Sequence, residues 1–250
     1  MNETNQQMGF WQHFGELRIR IIRSFIAIVA SFFFCYGFHK QIFQFLRLPF
    51  DHAYLMVLDQ TPTLIQTGIL EAFIVYLKLS LLASIFVASP FVFYQAWKFV
   101  APGLKASEKR HVIPFVLLAT TFFVGGALFG YIFVFPKGFA FFLSLTSDQN
   151  IQALIRMQDY YRLASWMLLG FGISFEAPLI AMYLVYFGIL PRSALISHWR
   201  GIIVGIVIFS AIVTPTPDPG TLMMMSLPLI CLYGLTIIVT YFFKTKEAQE

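Results

Sequence analysis

Gly170-Phe-Gly-Ile-Ser-Phe-Glu-Ala-Pro178 sets a glutamate in the middle of a long apolar run. From Tyr160 to Phe187 the one other charge is Arg162, near the start of that run. An ionised carboxylate near the centre of a bilayer costs roughly 3 kcal/mol by some measures and 10 or more by others. A chain keeps such a residue only where other helices, water or a ligand cover it. The stretch therefore points to several membrane helices gathered around Glu176.

Composition agrees. Hydrophobic residues make up 58% of the 250 and charged residues 12%, with a mean hydropathy of +0.75. Soluble domains carry about 25% charged residues, so this is an integral membrane protein. The net charge of +5 is scattered between apolar blocks, which reads as a topology signal and not as a nucleic-acid surface. Cys35 and Cys231 lie far apart in apolar runs without CxxC or Cys/His spacing, and read as small core hydrophobes. Met1 to Phe14 is polar, without a basic segment, apolar core and cleavage site, so no removable signal peptide is expected. No internal repeat is visible, which disfavours inverted-repeat transporter folds.

The expected fold is all-α, one polytopic membrane domain over residues 1–250 with six transmembrane helices. The spans are 21–38, 72–96, 112–135, 160–187, 201–213 and 220–243. Between the first two, His39 to Leu70 reads as a long amphipathic connection punctuated by Pro49, Pro62 and Gly68. The third helix is expected to stop at Pro136, followed by a polar loop with a short amphipathic helix. The fifth is only about 13 residues, or near 20 Å, short for a core of about 30 Å. Lys78, two turns into the second helix, is expected to snorkel back toward Glu71. Alternate connections carry eleven Lys and Arg on one side and five on the other, Lys78 aside. By the positive-inside rule both termini are cytoplasmic, placing a multi-pass protein in the cell (inner) membrane.

The chain lacks HExxH, GxSxG, a phosphate loop and paired intramembrane aspartates, and its five histidines are dispersed. An enzyme, a metal site or a cofactor is not expected. Carboxylates in unusual places remain. Glu16 and Glu108 sit on the cytoplasmic side among Arg18, Arg20, Lys105, Lys109 and Arg110. Glu16 and Arg20 are four apart on a helix, where a local pair stabilises by a few tenths of a kcal/mol. The alternative is that each carboxylate clamps an incoming guanidinium, which binds bidentately.

Four ordered motifs carry a family resemblance over essentially the whole chain. They are His13-Phe-Gly-Glu-Leu-Arg-Ile-Arg20 and Tyr94-Gln-Ala-Trp-Lys-Phe-Val-Ala-Pro-Gly-Leu104 running into Glu108-Lys-Arg110. Next come Tyr131-Ile-Phe-Val-Phe-Pro136, then Phe171 to Pro178 with Thr214-Pro-Thr-Pro-Asp218 downstream. The chain resembles the TatC family, the receptor and core subunit of the twin-arginine protein translocase. The resemblance implies a cupped, concave bundle with short fifth and sixth helices. It implies that Glu16 and Glu108, with Phe99 and Arg18 beside them, bind the paired arginines of the signal peptides of folded precursors. Glu176 then faces the concave side, and Pro49, Tyr131 and Asp218 shape the outer loops and turns. Implied partners are TatA/TatB-type single-span subunits, membrane lipids and further copies of the chain, with no nucleic acid, for export driven by the proton-motive force. Family members often carry a glutamine after the Thr-Pro…Asp turn; Gly220-Thr-Leu-Met-Met has none, leaving Thr214 and Thr221 as the polar candidates for partner docking. The competing class is a proton-coupled carrier of a small solute, with Glu176 titrating and Lys78 as a gate.

Overall fold

The computed structural model describes residues 10–59, 62–103, 112–147, 154–214 and 219–242. Nine helices are present among them. They are α1 (Phe10–Gly37), α2 (His39–Leu58), α3 (Glu71–Val100), α4 (Val112–Phe129) and α5 (Phe135–Ser147). Then come α6 (Met157–Tyr186), the short α7 (Arg192–Ser197), α8 (Trp199–Val213) and α9 (Pro219–Phe242). Helices α1, α3, α4 with α5, α6 and α9 are long and apolar enough to cross a membrane, and α8 is the shorter sixth. The fifth span is short at 15 residues, as expected; the sixth is not, because α9 runs unbroken for 24 residues through Pro228.

The largest departure from expectation is α2. The expected connection is a 20-residue helix with Pro49 inside it. Its buried residues Leu46, Pro49, Phe50, Ala53 and Tyr54 fall at helical spacing on one face, so apolar periodicity overrides the proline. Phe38 links α1 to α2 by a single turn, and Asp59 ends α2 in a left-handed conformation, donating its N–H to the Leu55 carbonyl. With α5, α2 forms a layer at the end of the bundle away from the N-terminus. Two short strands close that end as a parallel pair, β1 (Leu64–Ile65) ahead of α3 with β2 (Ile155–Arg156) ahead of α6, in register Leu64 to Ile155.

Pro136 does not stop the third span either. Gly130–Val134 is wound as a π-bulge in which the Phe135 N–H reaches the Gly130 carbonyl, and the helix continues into α5. A proline N lacks the donor for the carbonyl four residues back, and the wider winding lets the chain pass that defect without ending.

Close packing of α4 on α6 relies on missing side chains. A Cβ at Gly126 would lie 2.7 Å from the Phe171 carbonyl oxygen and 2.6 Å from Phe175 Cγ. One at Gly130 would meet Phe171 Cδ2 at 2.6 Å. Gly126-Ala-Leu-Phe-Gly130 is thus a GxxxG contact, in which small residues let helices approach where no hydrophobic drive exists between them. Gly126→Ala is expected to force the two helices apart and destabilise by about 1–3 kcal/mol, the usual cost of overpacking. Thermal unfolding of the purified variant in detergent checks this, with Gly125→Ala, which meets open space, as the control.

Candidate functional site

Three groups of polar side chains stand out, one at each end of the bundle and one within it. At the N-terminal end, α1 and α3 pack along most of their length. Arg20 bridges them: Nη2 donates to Glu16 Oε1, and Nη1 donates to Gln95 Oε1 at 3.3 Å. One turn earlier His13 stacks on Phe99, with ring centroids 4.4 Å apart and planes at 21°. The sequence places Glu16 and Arg20 at i and i+4, and Gln95 and Phe99 likewise. Two facing helices therefore present four side chains as one seam. Arg18 is exposed beside it. The local pairing of Glu16 is real, yet Arg20 engages one carboxylate oxygen only. A carboxylate has about four acceptor sites, so Glu16 keeps capacity for a second guanidinium. Glu108 lies outside the described residues, as does Asp218.

Within the bundle, Glu176 is 8% exposed and its Oε1 has no hydrogen-bond partner. Arg162, Trp166, Leu169, Ile173, Glu176 and Ile180 follow one stripe of α6 at helical spacing. Trp166, Ile173 and Ile180 on that stripe are exposed, while Leu169 packs on the core and Glu176 is buried. Beside Glu176 opens a groove of about 530 Å³, walled by Phe209 and Ile206 of α8, Tyr233 and Leu229 of α9, and Leu195 of α7. Tyr233 is fixed there by donating its hydroxyl to the Leu195 carbonyl at 2.6 Å. Glu176 is thus a buried carboxylate, one oxygen unpartnered, at the edge of an open apolar groove.

The expected docking threonines are placed differently. Thr214 is buried and donates to the Ser210 carbonyl at 2.6 Å, and Thr221 is buried where α9 meets α5, its methyl 3.9 Å from where a Cβ of Gly138 would stand. Neither presents a polar surface.

At the far end lies the group that joins Pro49 to Tyr131. Pro49 cannot donate to the Phe45 carbonyl, four residues back. Tyr131, turned inward by the π-bulge, donates its hydroxyl to that carbonyl, and its ring stacks on Phe45 with centroids 4.5 Å apart. Tyr160 donates to the neighbouring Leu46 carbonyl, and Tyr161 to that of Phe43 at 3.0 Å. The proline and the tyrosine are two halves of one device, a helix with a freed carbonyl held from the π-bulge and from α6.

Glu71, expected as the partner of Lys78, has a different role. It is 5% exposed at the first turn of α3 and accepts from Thr67 N (2.7 Å), Thr67 Oγ1 (3.1 Å) and Gly68 N (3.2 Å). Its other oxygen accepts from Gln158 N at 2.9 Å, in the first turn of α6. One carboxylate thus serves the positive ends of two helices. It makes no ion pair with Lys78, which is exposed and without a salt bridge among the described residues. The detectable signal was an acidic residue opening an apolar helix.

Comparison with known proteins bears on all of these sites. A family model described as Sec-independent protein translocase protein (TatC) matches residues 12–228. A Sec-independent protein translocase protein TatC of Desulforapulum autotrophicum is 41% identical over 100% of this chain and 91% of its own. That of Koribacter versatilis is 37% identical over 99% and 93%. A crystal structure of a twin-arginine translocase receptor, TatC, superposes with a TM-score of 0.76 at 31% identity, covering 92% of this chain and 98% of that one. A second, in the detergent DDM, gives 0.78 at the same identity, covering 91% and 99%.

The Phe45 carbonyl supplies the test of the far-end device. Tyr131→Phe leaves it unpaired and should destabilise by about 1–3 kcal/mol. In a Pro49→Ala background the alanine restores an N–H to the same carbonyl, and the second substitution should then cost less than half as much. Unfolding of the wild type, the two single variants and the double variant gives the coupling directly.

Proposed function

The chain belongs to the TatC family of Sec-independent protein translocase proteins, and from that premise we propose that it is the subunit that reads twin-arginine signal peptides. It is a component of protein transport and not an enzyme, and its apolar helices make it a multi-pass inner-membrane protein. The bias of Lys and Arg puts both termini in the cytoplasm in this reading, with the α1–α3 seam at the cytoplasmic face. The solute-carrier alternative loses its footing with the family assignment.

The supporting observation is the half-occupied carboxylate of Glu16, set between Arg20 and the His13–Phe99 stack. An incoming arginine can take the second oxygen in a charge-assisted bond and lay its guanidinium plane near the aromatic pair. Glu108, placed by its motif on the adjoining loop, takes the second arginine. The surrounding rim is basic, with Arg18, Arg20, Arg23 and Lys98, so diffuse positive charge is repelled. A correctly spaced arginine pair gains enough at the two carboxylates to overcome that repulsion. Lysine, a strongly hydrated point charge without the planar fork, gains less.

After this first contact the apolar part of the signal peptide lies along the C-terminal part of α6, past the exposed Ile180, toward Glu176. Single-span TatA/TatB-type subunits enter by the groove between α6, α8 and α9, where Glu176 offers an unmet acceptor. Export of folded proteins needs several copies with such partners, since six helices cannot enclose a protein-sized passage.

Glu16→Lys or Glu108→Lys is expected to reduce recovery of a twin-arginine precursor with the purified complex at least tenfold while partner subunits still copurify. Glu176→Ala is expected to leave precursor binding within about twofold and to block export. Precursor retained by either Lys variant, or initial binding lost in Glu176→Ala, contradicts the assignment of roles.

A further inference from the structure

We propose that a groove between α3 and α6 is a binding site for an anionic phospholipid, its phosphate held between Lys78 and Arg162 and one acyl chain lying in the cleft. The groove has a volume of about 270 Å³ and is walled by Val75, Leu79, Leu82 and Ile85 of α3 and Leu169 and Trp166 of α6. Lys78, Arg162, Gln158 and Ser165 line it as well.

Depth brings the two cations together. Lys78 is seven residues into α3, about 10 Å along its axis, and Arg162 is five residues into α6, about 8 Å. The paired β1 and β2 strands hold the starts of the two helices side by side. Both side chains lean back toward their helix N-termini, and so toward the same headgroup region. Trp166, 57% exposed, supplies the amphipathic ring that favours this level.

Charge is the second argument. Of the carboxylates flanking these cations, Glu71 is spent on backbone donors and Asp159 meets Arg162 alone, leaving Lys78 without an ion pair among the described residues. Glu71 is saturated by N–H and O–H donors from Thr67, Gly68 and Gln158. Asp159 accepts from one nitrogen of Arg162 at 3.3 Å, leaving the other donors of a guanidinium that is 73% exposed. The Lys78 ammonium, at this depth in an apolar wall, calls for an anion, and the bilayer supplies phosphodiesters there.

Charge separates this occupant from a signal peptide: an apolar helix brings no anion to Lys78 and Arg162, whereas a phosphodiester does. The proposal stands independently of how signal peptides are read at the opposite face.

Native mass spectrometry of the purified chain, exchanged from detergent into defined lipid, tests this. With phosphatidylglycerol as the probe the wild type should retain at least one lipid, and several-fold less phosphatidylcholine. Lys78→Gln and Arg162→Gln should each cut retained phosphatidylglycerol about fivefold, while Lys40→Gln, an exposed cation near the same end, should not. Leu169→Trp, which fills the cleft without touching charge, should also lower retention. Millimolar inorganic phosphate should displace little, since it has no chain to place. Unchanged retention in both charge variants, an equal loss in Lys40→Gln, or ready displacement by phosphate overturns the proposal. So does crosslinking of a precursor, and not lipid, to a photoreactive residue at position 166.

Discussion

A carbonyl freed by a proline stays satisfied only where another donor reaches it. Pro49 frees Phe45, and Tyr131 answers from the π-bulge across the bundle. Pro90 frees Phe86, and Ser89 answers from the same helix at 2.7 Å. The first solution is local geometry turned into tertiary structure. Tyr131, Tyr160 and Tyr161 grip three carbonyls within one turn of α2 ahead of Pro49, those of Phe43, Phe45 and Leu46. Those hydroxyls come from the α4–α5 junction and from α6, and thus the outer layer, the π-bulge and the start of α6 are fixed by one another. Glu71 adds the last tie by joining the first turns of α3 and α6. With these ends fixed, the exposed stripe of α6 keeps its register toward the grooves on either side of it.

The apolar spans were legible because each exceeds what a soluble core helix needs, and the short fifth span was legible from its length alone. The illegible parts arose from reading proline as punctuation. At Pro49 the buried stripe from Leu46 to Tyr54 was present in the sequence at helical spacing, and it outweighed the missing N–H. At Pro136 the defect was absorbed by wider winding, which leaves no compositional mark. The β1–β2 pair is two residues long, too short for any periodic signal.

The candidate site divides the same way. The Glu16–Arg20 pair was visible from spacing, since both lie on one helix. Gln95 as the second partner of Arg20, and the stack of His13 on Phe99, depend on how α1 lies against α3 and could not be read from either helix alone. Glu176 was conspicuous by cost, and the structure sets it beside a groove with one oxygen unpartnered. Lys78 was expected to lean on Glu71; the carboxylate proved to be spent on backbone donors instead.

Two kinds of carboxylate thus divide the work at opposite depths. Glu16 is held half-occupied by a neighbour, so it can exchange partners at the water's edge. Glu176 has an oxygen with no partner at all, so it favours whatever brings a donor into the apolar groove. In the proposed reading the first sets which peptide is accepted, and the second acts once a segment has inserted. The most direct test is site-specific photo-crosslinking from position 96, exposed one turn before Phe99, to signal peptides carrying Arg–Arg or Lys–Lys. The account predicts a crosslink to Arg–Arg that falls at least tenfold with Lys–Lys and with Glu16→Gln. Equal crosslinking of both peptides, unaffected by Glu16→Gln, would contradict it.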